Sequence, residues 1–231
     1  MSQLNAPAVA RSFLYGGLLG VTAASILEPI FVHQLTPVSV FSIAFIEELA
    51  KIAGVLIIAR RLRHDSEIDG IILGAAAGMG FAALESMGYA FTGFLRSGGS
   101  LSATVFIIMI RGLTAPLGHG VWTAILASVL FREARQGHLR FNLKVLGALV
   151  TVVLLHAFWD LMPMLAAFFA LPGAEFFSSE AIVGSIGLFI LWRRWREGRR
   201  QQEAETHIDI DIDHAAAQAD HAEPLLTTIG D

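Results

Sequence analysis

The sequence contains no cysteine, which excludes disulfides, thiol nucleophiles and thiolate metal sites. Charge is also scarce. Asp, Glu, Lys and Arg make up 16% of the 231 residues, against about a quarter in a soluble domain. The formal net charge of -4 gives no nucleic-acid-binding character, because the acid gathers in the C-terminal tail and the base in three short stretches. No Gly-x-Ser-x-Gly run occurs, so serine-hydrolase chemistry is disfavoured along with cysteine chemistry. The first apolar run, after Arg11, is too long for a signal-peptide core and lacks a convincing small-residue cleavage site, so a cleavable signal is not expected.

What the chain has instead is apolar length. It is 55% hydrophobic, with a mean hydropathy of +0.62. Runs of the ~20 apolar residues needed to cross a bilayer fall at 12–32, 38–59, 69–92, 103–130, 144–170 and 180–195. Their apolarity is continuous and does not alternate, which specifies helices rather than barrel strands. Pro116 and Pro163 offer places to bend the two longest. Gly70, Gly74 and Gly78 give the third run a flat face for close helix packing. Phe81, Phe91, Trp122 and Phe158 read first as packing groups.

Basic residues alternate from side to side. Arg11 precedes the first run. Arg60, Arg61 and Arg63 follow the second, and Arg132, Arg135, Arg140 and Lys144 separate the fourth and fifth. Arg193, Arg194, Arg196, Arg199 and Arg200 follow the sixth, while the opposite loops hold only Arg96. By the positive-inside rule both termini are expected in the cytoplasm of a multi-pass cell-membrane protein. The predicted fold is all-α: a polytopic transmembrane bundle of about six spanning helices. It divides into a cytoplasmic N-terminus (1–11), a membrane domain (12–200) and a disordered acidic cytoplasmic tail (201–231).

More than two residues in from the run ends there are nine Asp, Glu, Lys, Arg or His residues, and a charge at mid-run costs roughly 2.5–3.5 kcal/mol on insertion scales. Glu28, near an outer end, is set aside as interfacial. Glu47, Glu48 and Lys51 lie halfway along the second run, spaced so that both carboxylates can reach the ammonium. Glu85, His119, His156 and Asp160 fall at similar depth on the next three runs, and Arg111 can reach toward them. Eight such groups at one level exceed what helix packing requires. Paired carboxylates, two histidines and nearby cations suit hydrolysis, with a carboxylate taking a proton from water and histidine positioning it. The alternative is a non-catalytic membrane scaffold, or a proton-coupled transporter, that uses the layer for docking or binding. Two adjacent buried carboxylates exceed what a scaffold needs, and no internal repeat supports a transporter.

These residues form four ordered motifs: Glu47-Glu48-x-x-Lys51 (EExxK), Phe81-x-x-x-Glu85 (FxxxE), the Arg111-to-His119 segment, and His156-x-x-x-Asp160 (HxxxD). Together they resemble the PrsW family of intramembrane proteases, related to the CAAX-processing and bacteriocin-processing membrane proteases. The motif core spans 38–165. The first run, the last run and the tail fall outside it, which suggests a variant subgroup with different substrates. The family commonly has Asn after the FxxxE glutamate, where this chain has Ser86. The resemblance implies an intramembrane endopeptidase acting on a single-pass, membrane-anchored protein such as an anti-sigma factor, within the lipid bilayer and without nucleic acid.

The resemblance also implies site roles. Glu47, Glu48, Glu85, His119 and His156 would be catalytic, with Lys51 tuning the pair, Arg111 supporting, and Asp160 orienting His156 through a ring N–H. Glu48 is slightly favoured as the base by its shorter spacing from Lys51. If a metal is present, His119, His156 and Glu85 would make an acceptable Zn2+ set. No His-Glu-x-x-His run strengthens that reading, and a metal-free glutamate mechanism is equally compatible.

Overall fold

The computed structural model describes residues 4–60, 66–134, 138–168 and 179–222, and these are almost entirely helical. In chain order the helices are α1 (Ala6–Phe31), α2 (Pro37–Ala59), α3 (Glu67–Arg96), α4 (Leu101–Ala115), α5 (Val121–Arg132), α6 (Leu143–Phe168) and α7 (Ser185–Ala222). A π-helical turn, Pro116–Gly120, joins α4 to α5 without a break, and a second one, Ser179–Gly184, leads into α7. Six helical runs therefore stand where the sequence has six apolar stretches. Arg61, Arg63, Arg135, the last two residues of the fifth stretch and 223–231 lie outside the described residues.

Local chemistry sets the helix starts. The Asn5 side chain accepts from the Ala8 N–H at 2.9 Å and caps α1. Thr36 and Ser39 form a reciprocal capping box on α2, with Pro37 in its first turn. Ser66 and Ser100 cap α3 and α4. Between those two, Gly98 and Gly99 turn the chain at φ +67° and +91°, a region open mainly to glycine. Pro116 has no N–H to give to the carbonyl of Gly112. The hydrogen-bond ladder widens there into the π turn instead of breaking.

Four of these runs are long and apolar enough to cross a membrane: Ala6–Phe31, Glu67–Arg96, Leu101–Arg132 and Leu143–Leu165. Helix α2 is of similar length but carries Glu47, Glu48 and Lys51. Large apolar side chains such as Leu14, Leu18, Phe106, Met109 and Leu113 face outward, as a lipid environment requires. The result is a helical membrane bundle.

Helix α3 is the axis of the bundle, with α1 on one side and α5 on the other. Its glycines allow this. A Cβ at Gly70, Gly74 or Gly78 would run into the backbone of Ala127, Thr123 or His119, and one at Gly80 would meet the Phe13 carbonyl on α1. Ser12 of α1 locks the first contact by donating to the Leu73 carbonyl at 2.8 Å.

At the end of the bundle that carries the basic loops, α7 docks back on it. Arg194 pairs with the fully buried Glu67 at the start of α3, and Gly198 lies against Ile68. Residues 201–222, read from composition as a disordered tail, continue α7 as helix. Gln, Glu and Ala in this segment are good helix formers, the Arg199–Glu203 pair (3.4 Å) spans one turn, and the docked first half supplies the nucleus.

Candidate functional site

The capping box fixes where α2 begins, and Glu47 and Glu48 then lie about three turns inside it. Spacing carries Glu47 and Lys51 onto one face, with Glu48 three residues from the same ammonium. Lys51 Nζ is 2.7 Å from Glu48 Oε1 and 3.3 Å from Glu47 Oε2, and its side chain is fully buried. It also sits 4.4 Å from the centre of the Phe81 ring.

The π turn brings in His119. Close approach of its backbone to Gly78 presses the turn against α3, and its ring lies between Lys51 and Glu85: Nδ1 is 2.8 Å from Lys51 Nζ and Nε2 is 3.0 Å from Glu85 Oε2. An ammonium only donates, so Nδ1 is the acceptor and Nε2 carries the proton donated to Glu85. Glu85 is held from its other side by Arg111, whose Nη2 is 2.6 Å away and whose Nε donates to Ser86 Oγ at 3.0 Å. The Arg111 guanidinium lies 4.1 Å from the Tyr89 ring centre. Ser86, next to Glu85, thus accepts a hydrogen bond from the same guanidinium that holds the carboxylate.

Helix α6 supplies His156. Its Nδ1 donates to Glu48 Oε1 at 3.0 Å, and its ring stacks on Trp122 with centroids 4.6 Å apart. That bond leaves Nε2 facing two carboxylates, Glu47 Oε2 at 3.6 Å and Asp160 Oδ2 at 3.5 Å. The ring N–H that orients His156 is therefore received by Glu48, and Asp160 stands at the other nitrogen.

All eight residues singled out in the sequence are brought into one connected cluster. Glu48 lies at its sealed bottom, accepting from Lys51, His156 and, at 3.5 Å, the Thr123 hydroxyl. Glu47 lies at its open side and lines a cavity of about 770 Å³ together with Glu85, Arg111 and Asp160. The cavity extends toward Leu35, Arg96 and Ser179, at the ends of the bundle opposite the basic loops. Glu28, set aside as interfacial, is part of its wall; an intramembrane carboxylate beside Pro29 was the signal available for it. Trp122 and Phe81, read as packing groups, flank the two imidazoles.

Among the described residues, one group of side chains could hold a metal ion: Glu47, His119 and His156, whose ligand atoms lie within 4.8 Å of one another. The carboxylate in that group is Glu47, not Glu85. Glu85 is drawn away by Arg111 and faces the proton-bearing nitrogen of His119. Zinc bonds of about 2.0–2.1 Å in a tetrahedron put ligand atoms roughly 3.4 Å apart. Glu47 Oε2 is 3.6 Å from His156 Nε2 and 3.9 Å from His119 Nδ1, and all the ligand atoms lie within 4.8 Å of one another, so the donor set fits such an ion once the side chains draw together around it.

Carboxylates and imidazoles clustered among membrane helices, with Glu47, Glu85 and Asp160 lining a cavity, define an intramembrane hydrolase. Residues 5–192 match the PrsW family of intramembrane metalloproteases, and the chain belongs to that family. It is an intramembrane peptidase. The match includes α1 and the membrane part of α7, which the four motifs alone leave out, so these helices are family structure and not additions of a variant subgroup. No curated protein and no solved structure matches the chain.

Proposed function

We propose that this protein cuts a single-pass membrane protein, of the anti-sigma-factor kind, from the extracytoplasmic side of the cell membrane. Six helical runs cross the bilayer with both termini in the cytoplasm, as the distribution of Arg and Lys between loops supports. The observation that carries the proposal is that Glu47 lines a cavity directed away from the basic loops, with both imidazoles behind it.

Of the adjacent pair, Glu47 is the general base, because it reaches the cavity and Glu48 does not. Water in the cavity attacks the scissile carbonyl carbon and gives its proton to Glu47. Collapse of the tetrahedral species breaks the C–N bond, and Glu47 returns the proton to the leaving amine. Arg111, in the cavity wall, faces the charge that develops on the carbonyl oxygen. Glu48 is a positioning residue that fixes Lys51 and the His156 ring. Glu47 through Oε2, with His119 and His156, would hold a Zn2+ ion, since zinc takes imidazole and carboxylate ligands, and the other Glu47 oxygen would be left to take the proton. When bound, such an ion supplies Lewis-acid polarisation and an acidified water.

The test compares protein N-termini by mass spectrometry in membranes of cells carrying wild type, Glu47→Gln or His119→Ala. New termini in the extracytoplasmic juxtamembrane region of a single-pass protein, seen with wild type alone, are expected. The same termini in all three strains, at equal protein levels, would remove the support for this reading.

A further inference from the structure

His119 has two ring nitrogens and both are engaged. Nε2 spends its proton on Glu85 at 3.0 Å, and the Nδ1 lone pair accepts from Lys51 at 2.8 Å. Only that lone pair can bind a metal ion together with Glu47 and His156, because it is the nitrogen nearest Glu47. A hydrogen bond from Lys51 and a bond to a metal ion exclude each other at one lone pair. Lys51 Nζ also touches Glu47 Oε2, at 3.3 Å. The ammonium thus occupies two of the three donor atoms. The third, His156 Nε2, faces two carboxylates, an arrangement that a cation would complete. Lys51 has somewhere to retreat: Glu48 Oε1 already accepts from it at 2.7 Å, and Glu48 is fully buried.

We propose that Lys51 is a built-in cation that competes with a divalent metal ion for His119 and Glu47. In the metal-free protein the ammonium neutralises the glutamate pair and holds His119 in position. A metal ion binds as Lys51 gives up His119 Nδ1 and keeps Glu48. The lysine therefore sets the metal affinity of the site and keeps the bundle folded before loading. This rests on the Glu47–His119–His156 group as the metal ligands, and needs no substrate or proteolysis.

The experiment uses the full chain in detergent micelles, stripped with a chelator and titrated with Zn2+ against a chromophoric competitor. Co2+ absorption provides a second readout of tetrahedral binding. Lys51→Met is expected to bind Zn2+ at least about tenfold tighter than wild type. That is a low bound for removing a unit positive charge a few ångströms from the bound cation. Zn2+ should also raise the melting temperature of Lys51→Met more than that of wild type, because the metal supplies the missing charge. Lys51→Arg keeps the charge and should show no gain. Adding His119→Ala to Lys51→Met should abolish the gain. Equal or weaker binding by Lys51→Met, a gain that survives loss of His119, or a like gain in Lys51→Arg would each overturn the proposal. So would failure of Lys51→Met to fold when produced with excess Zn2+. Because binding is read without substrate, a negative result here leaves the proteolytic reading standing, and unchanged termini in the cellular test leave this one standing.

Discussion

Helix α3 carries the buried Glu67 and the partly buried Glu85 about 27 Å apart along its axis, at ~1.5 Å per residue, and their surroundings differ in kind. Glu67, at the end that carries the basic loops, is fully buried and pairs with Arg194. Arg194 is held in turn by Glu197 at 3.0 Å, which also takes Arg132 at 2.9 Å, and Gln202 donates to Ser66 at 3.2 Å beside it. Each acid there has a guanidinium, and the cluster closes on itself. Glu85 belongs to a cluster with more acceptors than donors: four carboxylates and two imidazole lone pairs share Lys51 and Arg111, and one side opens on a cavity. A buried carboxylate by itself therefore says little. A matched set of charges fixes a helix, and an unmatched set at a cavity wall is available for chemistry.

The largest expected effect separates the two clusters by activity. Glu47→Gln should lower proteolysis of a reconstituted single-pass substrate by roughly 10²–10⁴-fold, the range for loss of a general base. Its melting temperature should change little, since the amide oxygen still accepts from Lys51. A comparable loss of activity per folded molecule in a Glu67 variant would erase the distinction.

Next is the converse. Glu67→Ala leaves the partly buried Arg194 with Glu197 alone and should destabilise the protein by about 1–3 kcal/mol in reversible unfolding. Glu67→Leu combined with Arg194→Met should recover most of that loss, because an apolar pair of similar size carries no desolvation cost. No recovery would mean that the Glu67 cluster does more than hold α7.

A smaller effect, about 1–2 kcal/mol or roughly tenfold in kcat/KM, is expected for Arg111→Lys. The ammonium keeps the charge but cannot reach Glu85 and Ser86 together while stacking on Tyr89. An unchanged kcat/KM would place Arg111 outside the reaction. Smallest of all, Thr123→Val should cost under about 0.5 kcal/mol in the same unfolding measurement, since the hydroxyl stands 3.5 Å from Glu48, at the limit of hydrogen bonding. A larger cost would show that Glu48 depends on Thr123 more than this distance implies.

The helices were legible because their main cause is local: apolar runs of membrane length. The membership of the site was legible for a related reason. Depth along a helix follows from counting residues, so Glu47, Glu85, His119 and His156 could be placed at one level from sequence. The α7 extension through Ala222 was not legible, because a polar helix depends on the docked turns before it.

Sequence by itself determined which side chains meet. Only the tertiary structure decided how: that Glu47 and not Glu85 completes the imidazole pair, that Glu48 receives the His156 N–H, and that Lys51 holds the lone pair of His119. The physical reason is rotation about the helix axis. Spacing gives the relative angle of two residues on one helix, but the angle between helices is set by packing. Here it depends on the glycine face of α3, which seats the His119 turn at Gly78, and on Arg111, which pulls Glu85 out of reach of a shared metal ion.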